Sequence, residues 1–399
     1  WSDDRRGAVW HRGCMSPSLQ ELVTSLSRDL DLPVVLEDAD QQPLVHGPHH
    51  GPTDRMRLDT ILHGATSERT VEWFSRFDVA SHADPFVVPG DPDDEILPRL
   101  CVPLRWDGRL LGYVWVLLPD GVLDDADWAV VDRARDPLAE VLGLERLSRL
   151  QEGRLVEDLI GHDPDRRRRG QVELEARRAF DDASGLAVLV CGGPGWAVPA
   201  VRRAFAIQRW AADPTRQLRH VDVEEGVVVV AADGPPDRDA LERVLAQLAR
   251  VADGQRLVVG IGPTVPSAGG VHRAHQRARQ AVTVALRTRS AVSVVAWADL
   301  GVHRLLVQLP RDELAEAVDP RLLQLVERDP EVVATLEAWL DRAGAVAATA
   351  EALHVHRTTL YARLEKVTEA GVDLQDGADR LALHVGIAAL RLLGRWPTR

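Results

Sequence analysis

Residues 345–366, AVAATAEALHVHRTTLYARLEK, constrain the fold of this chain more than any other stretch. They read as two short helices with a tight turn between them. The first is small and Ala-rich and ends at Leu353. The second starts near Arg357 and carries Leu360, Leu364 and Val367 on one face. Apolar residues repeating every three to four positions form a stripe that wants burial. Ala350, Leu353 and Val355 supply a surface for it. Arg357, Thr358, Thr359, Tyr361 and Arg363 are then left at the polar face of the second helix. Small residues in the first helix, a turn of about three residues and a polar second helix describe a DNA-reading helix-turn-helix. The rival reading of the same residues is an ordinary helical hairpin.

The net charge of −13 argues against a nonspecific nucleic-acid coat. It leaves room for a small reading head. Between His356 and Lys366 stand Arg357, Arg363 and Lys366 against the single acid Glu365. The acidity lies elsewhere, in runs such as 91–95. Lys366 is the sole lysine and sits between Glu365 and Val367, so no phosphate-binding Gly-Lys-Ser/Thr loop exists.

The context of the two helices resembles the C-terminal domain of the PucR/CdaR-type bacterial transcriptional regulators. The matching residues run from Thr349 to Leu360, with Arg363 and Leu364 following. Residues 371–384 resemble that family's return segment and closing helix, and Glu331 to Arg342 its first helix. The resemblance covers about seventy residues. It departs from the family at Thr358, where Asn is frequent, and at Tyr361 and Ala362, where the family has an Arg–aromatic pair. Both departures lie on the reading helix, so the recognised DNA sequence does not transfer from a relative.

Upstream, a chain of 399 residues with 45% hydrophobic content should form two or three packed domains. Residues 16–30 read as an amphipathic helix, with strands following at 33–36 and 43–45. A hairpin runs through 100–105 and 110–117, turning at Asp107 and Gly108. Helix, strands, helices, hairpin and closing helix suggest a sensor of GAF or PAS type, and residues 98–112 resemble the end of a GAF domain. From Asp125 to about Ile160 the pattern is helical, with Pro137 as a kink or a start. Its leucines, from Leu138 to Leu159, suit either pairing with a twin helix in a dimer or docking on the helix's own domain. Residues 161–170, with four consecutive arginines, read as a solvated, charged hinge.

A second α/β unit spans about 171–300. Strands and helices alternate around a hairpin at 220–231, which suits a ferredoxin-like sheet with helices on one face. Residues 258–263, 275–281 and 297–306 resemble the degenerate GGDEF-like domain found centrally in the same regulators. That resemblance raises nucleotide cyclisation as a rival function. The chemistry needs carboxylates near the first strand and on the central hairpin to hold divalent metals. Here the first strand runs into Cys191 and Gly192 without a carboxylate. The hairpin has only Glu224 and Glu225, two acids expected to be solvated on a turn.

Other enzyme signatures are missing. Gly260 and Gly262 lack the third glycine of a dinucleotide fingerprint, and there is no Gly-x-Ser-x-Gly. His46, His49 and His50 lie in a loop context where solvent exposure is the default over metal binding. Cys14, Cys101 and Cys191 are too few and scattered for a disulfide framework, and Cys101 reads as an inert core thiol. The longest apolar run, 110–118, is far short of a membrane span.

The resulting expectation is a multidomain α+β chain. It has a leader at 1–14, a GAF/PAS-like sensor at 15–122, a long linker helix at 123–165 and a ferredoxin-like, degenerate GGDEF-type α/β domain at 166–305. Connecting helices and an all-α helix-turn-helix domain follow at 306–399. The expected function is cytoplasmic, sequence-specific transcriptional regulation. The expected partners are double-stranded DNA, a small-molecule effector and further copies of the chain, as a homodimer or higher homo-oligomer. No membrane, cofactor, metal or catalytic set is expected. The competing classes are a cyclase-like nucleotide enzyme and a protein-interaction scaffold.

Overall fold

The computed structural model describes residues 17–48, 53–58, 68–93, 95–288 and 292–396. Within the chain two compact units divide between Gln151 and Glu152.

The first unit is built on a five-stranded antiparallel sheet. Its strands are β1 (Val34–Asp38), β2 (Pro43–His46), β3 (Phe86–Val88), β4 (Arg99–Trp106) and β5 (Arg109–Leu117). They lie in the order β2-β1-β5-β4-β3. Helix α1 (Leu19–Leu30) starts in a capping box, in which Ser18 Oγ accepts from the Glu21 N–H and Glu21 accepts from the Ser18 N–H. One sheet face carries Leu36, Leu100, Val102, Val114 and Val116 against α1 and the long helix α3 (Asp125–Ile160). The other carries Val35, Cys101, Tyr113 and Trp115 against Met56, Val79 and Phe74, the last from α2 (Glu68–Ser75). Cover on both faces explains why β4 and β5 are near-continuous apolar runs rather than alternating ones.

Helix α3 passes through Pro137 without a break, so this proline does not start it. Proline lacks the N–H that would reach the Arg133 carbonyl, but the turns on either side are anchored by buried side chains. In the first unit Val131, Leu138 and Leu142 are buried, whereas Leu144, Leu147 and Leu150 are 50%, 42% and 58% exposed. In the second unit Leu155, Val156 and Leu159 are buried again. The leucine stripe is therefore docked near both ends and open in the middle.

The expected hinge at 161–170 is instead largely a helix, α4 (Pro164–Glu175). Asp163 caps it by accepting from the Asp165 and Arg166 N–H groups, and Pro164 stands at the first helical position. Arg166 bonds Asp158 at 2.6 Å, and Arg167 donates to the carbonyls of Gly161 and His162. The charge run is ordered by local capping and pairing, which composition does not register.

The second unit's sheet comprises β6 (Gly185–Gly192), β7 (Gln217–Val221), β8 (Gly226–Ala232), β9 (Val258–Ile261) and β10 (Val294–Ala296). Its order is β10-β9-β6-β8-β7, with β9 and β10 parallel and the other pairs antiparallel. The first four strands have the ferredoxin-like order. Helices cover both faces, not one. Helices α4 and α7 (Val271–Arg287) pack on one. Helices α5 (Pro199–Ile207) and α6 (Arg238–Ala249) pack on the other. Every residue of β6 is buried, as a strand apolar on both faces demands. Gly260 serves this packing: a Cβ there would lie 2.2 Å from the Ala278 carbonyl oxygen of α7.

The rest is helical: α8 (His303–Leu306), α9 (Arg311–Glu316), α10 (Pro320–Arg328), α11 (Pro330–Asp341), α12 (Val346–Ala352), α13 (Arg357–Glu369) and α14 (Gly377–Leu393). Leu314, Leu322, Leu336, Leu360, Leu383 and Leu390 share their common core. Among the described residues no helix is long and apolar enough to cross a membrane.

Candidate nucleic-acid interface

Helices α12 and α13 form the expected pair. Thr349 of α12 is fully buried and returns its hydroxyl to the Ala345 carbonyl, so it spends its polar group inside the helix. The chain turns at Leu353–His356, with His354 in the left-handed region at φ 54°. His356 caps α13, its Nδ1 accepting from the Thr358 N–H at 3.4 Å. Leu360, Leu364 and Val367 are buried in the shared core, with Ala350, Leu353 and Val355 packed against it. That burial fixes which face of α13 is left for a partner.

The sequence-derived set divides on that face. Arg357, Thr358 and Thr359 are exposed in the first turn, and Tyr361 is 55% exposed. Arg357 makes no ion pair among the described residues. Arg363 is half-buried and engaged: its Nη2 donates to Glu331 at 2.6 Å and its Nη1 to the Thr335 hydroxyl at 3.2 Å. Lys366 is held by Asp329 at 2.7 Å, and this contact keeps the Asp329 carboxyl below the usual carboxylate range. Both acids stand at the N-terminal end of α11, where the helix dipole also favours them. Of the three positive charges on the second helix, two are thus paired with acids more than thirty residues away in sequence.

A second network fixes the segment after α13. Arg321 of α10 bridges Asp319 and Asp379, each at 2.8 Å, and donates to the Gly371 carbonyl at 2.7 Å. Hydrogen bonds from Arg321 hold both carboxyls below their ordinary range. Gly371 has φ 84°, which a glycine adopts at little cost. These bonds tie the segment after the C-terminal end of α13 to α10.

The hairpin of the middle domain turns at Asp222–Glu225. Glu225 is not solvated there. Its Oε1 lies 2.6 Å from His275 Nε2 and its Oε2 2.8 Å from Arg279 Nε. Both oxygens are occupied, and the side chain is buried. Glu224 is exposed and reaches Arg279 at 3.3 Å. The resemblance had placed 275–281 in the matching segment without a partner for it; a contact across fifty residues is invisible in a linear reading. Behind the turn, Trp196 and Phe205 fill the space at Gly226, where a Cβ would meet their rings at 2.4 and 2.6 Å.

The remaining candidates do not converge with these sites. His46 ends β2, while His49 and His50 lie outside the described residues, as do Cys14 and the leader. Cys101 and Cys191 are buried; burial raises both thiols, Cys191 to about 12, in keeping with inert core positions.

Comparison with known proteins adds the following. Residues 332–389 match the PucR C-terminal helix-turn-helix domain, and residues 159–284 match the GGDEF-like domain. The proline-responsive transcriptional activator PutR of Bacillus subtilis is 21% identical over 94% of this chain and 96% of its own length. The carbohydrate diacid regulator of Escherichia coli is 28% identical over 39% of this chain and 41% of its own. A solved regulator of polyketide synthase expression from Bifidobacterium adolescentis overlaps 60% of this chain and 97% of its own, at 18% identity and a TM-score of 0.26.

Proposed function

We propose that this chain, a transcriptional regulator of the PucR/CdaR type, reads the major groove of duplex DNA with the first turn of α13 and works as a homodimer. The observation behind the reading is Arg357: a fixed positive charge, exposed and without an ion pair among the described residues, at the start of a helix whose other two cations are engaged. Helix-turn-helix domains present base-reading side chains from that end of the second helix. Thr358, Thr359 and Tyr361 share the exposed face and supply hydrogen bonds and van der Waals contact. Arg363 keeps a guanidinium edge on Glu331, so a phosphate at this position has to compete with that carboxylate.

The rest of the chain regulates this head. The first unit, with the sensor placed at 15–122, binds a small effector, and the helix after it carries the response. The relatives' names tie regulation to proline in one case and to a carbohydrate diacid in the other. An effector acts by binding two arrangements with different affinity. The open leucines Leu144, Leu147 and Leu150 recur every three residues on α3, and a second copy of the same stripe is their partner. The middle domain, taken as 166–305, is catalytically silent, because Glu225 is buried with each oxygen held by His275 or Arg279, contacts with which a metal has to compete. The protein works in the cytoplasm, where its DNA is.

A salt titration of binding to the gene's own upstream DNA tests the reading. Affinity should fall steeply with salt and exceed that for scrambled DNA at every salt. Equal affinity for both sequences would overturn it.

A further inference from the structure

The first unit buries an unusual group of charges on the face of its sheet turned away from α1. Glu37 on β1, Arg99 on β4, and Asp54 and Arg57 in the turn of helix at 54–58 are all less than a tenth exposed. Asp54 is fully committed: it pairs with Arg99 and accepts from the N–H groups of Arg57 and Leu97. Arg57 gives one nitrogen to the Val34 carbonyl at 3.2 Å. The Nε–H groups of both arginines are buried with no hydrogen-bond partner among the described residues. Donors of this kind are nearly always satisfied in native proteins, so two on neighbouring guanidiniums call for an acceptor.

Glu37, Arg57 and Arg99 line one cleft of about 380 Å³, space at its mouth included, whose inner end has room for a water-sized group. Its other walls include Met56, Phe74, Trp115 and Leu117. Burial pushes the Glu37 carboxyl up to about 8, against the pull of Trp115, Arg99 and Arg57. With the Glu37 carboxyl protonated at neutral pH, the two guanidiniums have one carboxylate partner between them, Asp54, and it is paired with Arg99. A buried charge without a counter-charge is costly, and a ligand that supplies one is favoured.

We propose that this cleft binds the carboxylate of a small organic acid between Arg57 and Arg99, with the acid's carbon atoms against Met56, Phe74 and Trp115. The site deepens the sensor reading by naming the chemical class of effector. Glu37 is the built-in competitor: ionised, it supplies the same negative charge to the same two arginines. Binding therefore weakens as pH rises through the Glu37 value. The other groups that face Glu37 are Arg57 from the 54–58 turn, Arg99 and Cys101 from β4, Tyr113 from β5 and Asp38 on its own strand, with Asp54 acting on the two arginines. Burial raises the Cys101 thiol and takes Tyr113 to about 12, so neither titrates between pH 7 and 9.

The test titrates the full chain with sodium propionate, using propylammonium chloride and 1-propanol as controls at constant ionic strength. Thermal shift and tryptophan emission report binding. Propionate should bind saturably at pH 7, and the controls should not. Its affinity should fall about tenfold per pH unit above the Glu37 value, the slope for one competing ionisation. Glu37→Gln should retain binding and flatten that pH profile. Arg57→Gln should lose at least tenfold; if that variant does not fold, the Glu37→Gln profile decides alone. An equal response to propylammonium, or a pH profile unchanged by Glu37→Gln, would overturn the assignment. No DNA is present, so failure here leaves the DNA reading standing, and a failed DNA titration leaves this one standing.

Discussion

Nη2 of Arg363 lies 2.6 Å from Oε2 of Glu331, so a cation of the reading helix is shared with the first turn of the helix that supports it. The carboxylate is three-quarters exposed and the guanidinium only a quarter, so solvent screens the pair from one side. Such a contact adds little to stability but sets how much charge DNA meets. Glu331→Gln should tighten DNA binding and steepen its salt dependence by up to about 0.9 in log–log slope, the increment for one phosphate contact. Fluorescence anisotropy across a salt series measures both. An unchanged slope would show that Arg363 does not reach phosphate.

Arg357→Ala acts on base reading. A bidentate arginine–guanine contact is worth about 1–3 kcal/mol of discrimination, so affinity should fall by that amount and preference should relax at one base position. Titrations on the cognate site and on single-base variants separate the two effects. A uniform loss on all sequences would move Arg357 to the phosphate backbone.

The open leucines of α3 predict assembly. Leu147→Glu with Leu150→Glu should give a monomer by light scattering and weaken operator binding, because two heads on one duplex add their contacts. Circular dichroism should remain that of the parent. A double variant that stays dimeric would place the interface elsewhere.

The middle domain should turn over neither GTP nor ATP with Mg²⁺ or Mn²⁺. Glu225→Gln should destabilise the protein by about 1–3 kcal/mol, the range for a charged hydrogen bond lost from a buried site. Product formation that disappears in Glu225→Gln would instead make this a catalytic carboxylate.

Arg321 makes the helical domain acid-sensitive. The folded-state values of Asp319 and Asp379 are depressed by its hydrogen bonds. Their contribution is therefore present above the unfolded aspartate value of about 3.9 and is lost as pH falls below it, through the folded values. Arg321→Met should lower the urea midpoint at pH 7, and the gap to the parent should narrow as pH falls below about 3.9. A gap independent of pH would mean that Arg321 acts by packing alone.

The local elements were legible because their signals are local. The turn at Asp107 and Gly108 and the stripe Leu360, Leu364 and Val367 each lie within a few residues of what they specify. Capping was the local signal passed over, in Asp163 and Pro164, and it turned the expected hinge into a helix.

The sequence by itself determined most of the helices and strands and the kind of head at the C-terminus, since propensity and apolar period act over one or two turns. Tertiary structure alone decided which charges are available. Glu331 and Asp329 engage Arg363 and Lys366, His275 and Arg279 take up Glu225, and Arg57 and Arg99 are buried beside Glu37. The physical reason is that the strength of a charge in a protein depends on its distance to a partner and on its access to water. Both are set when distant segments pack.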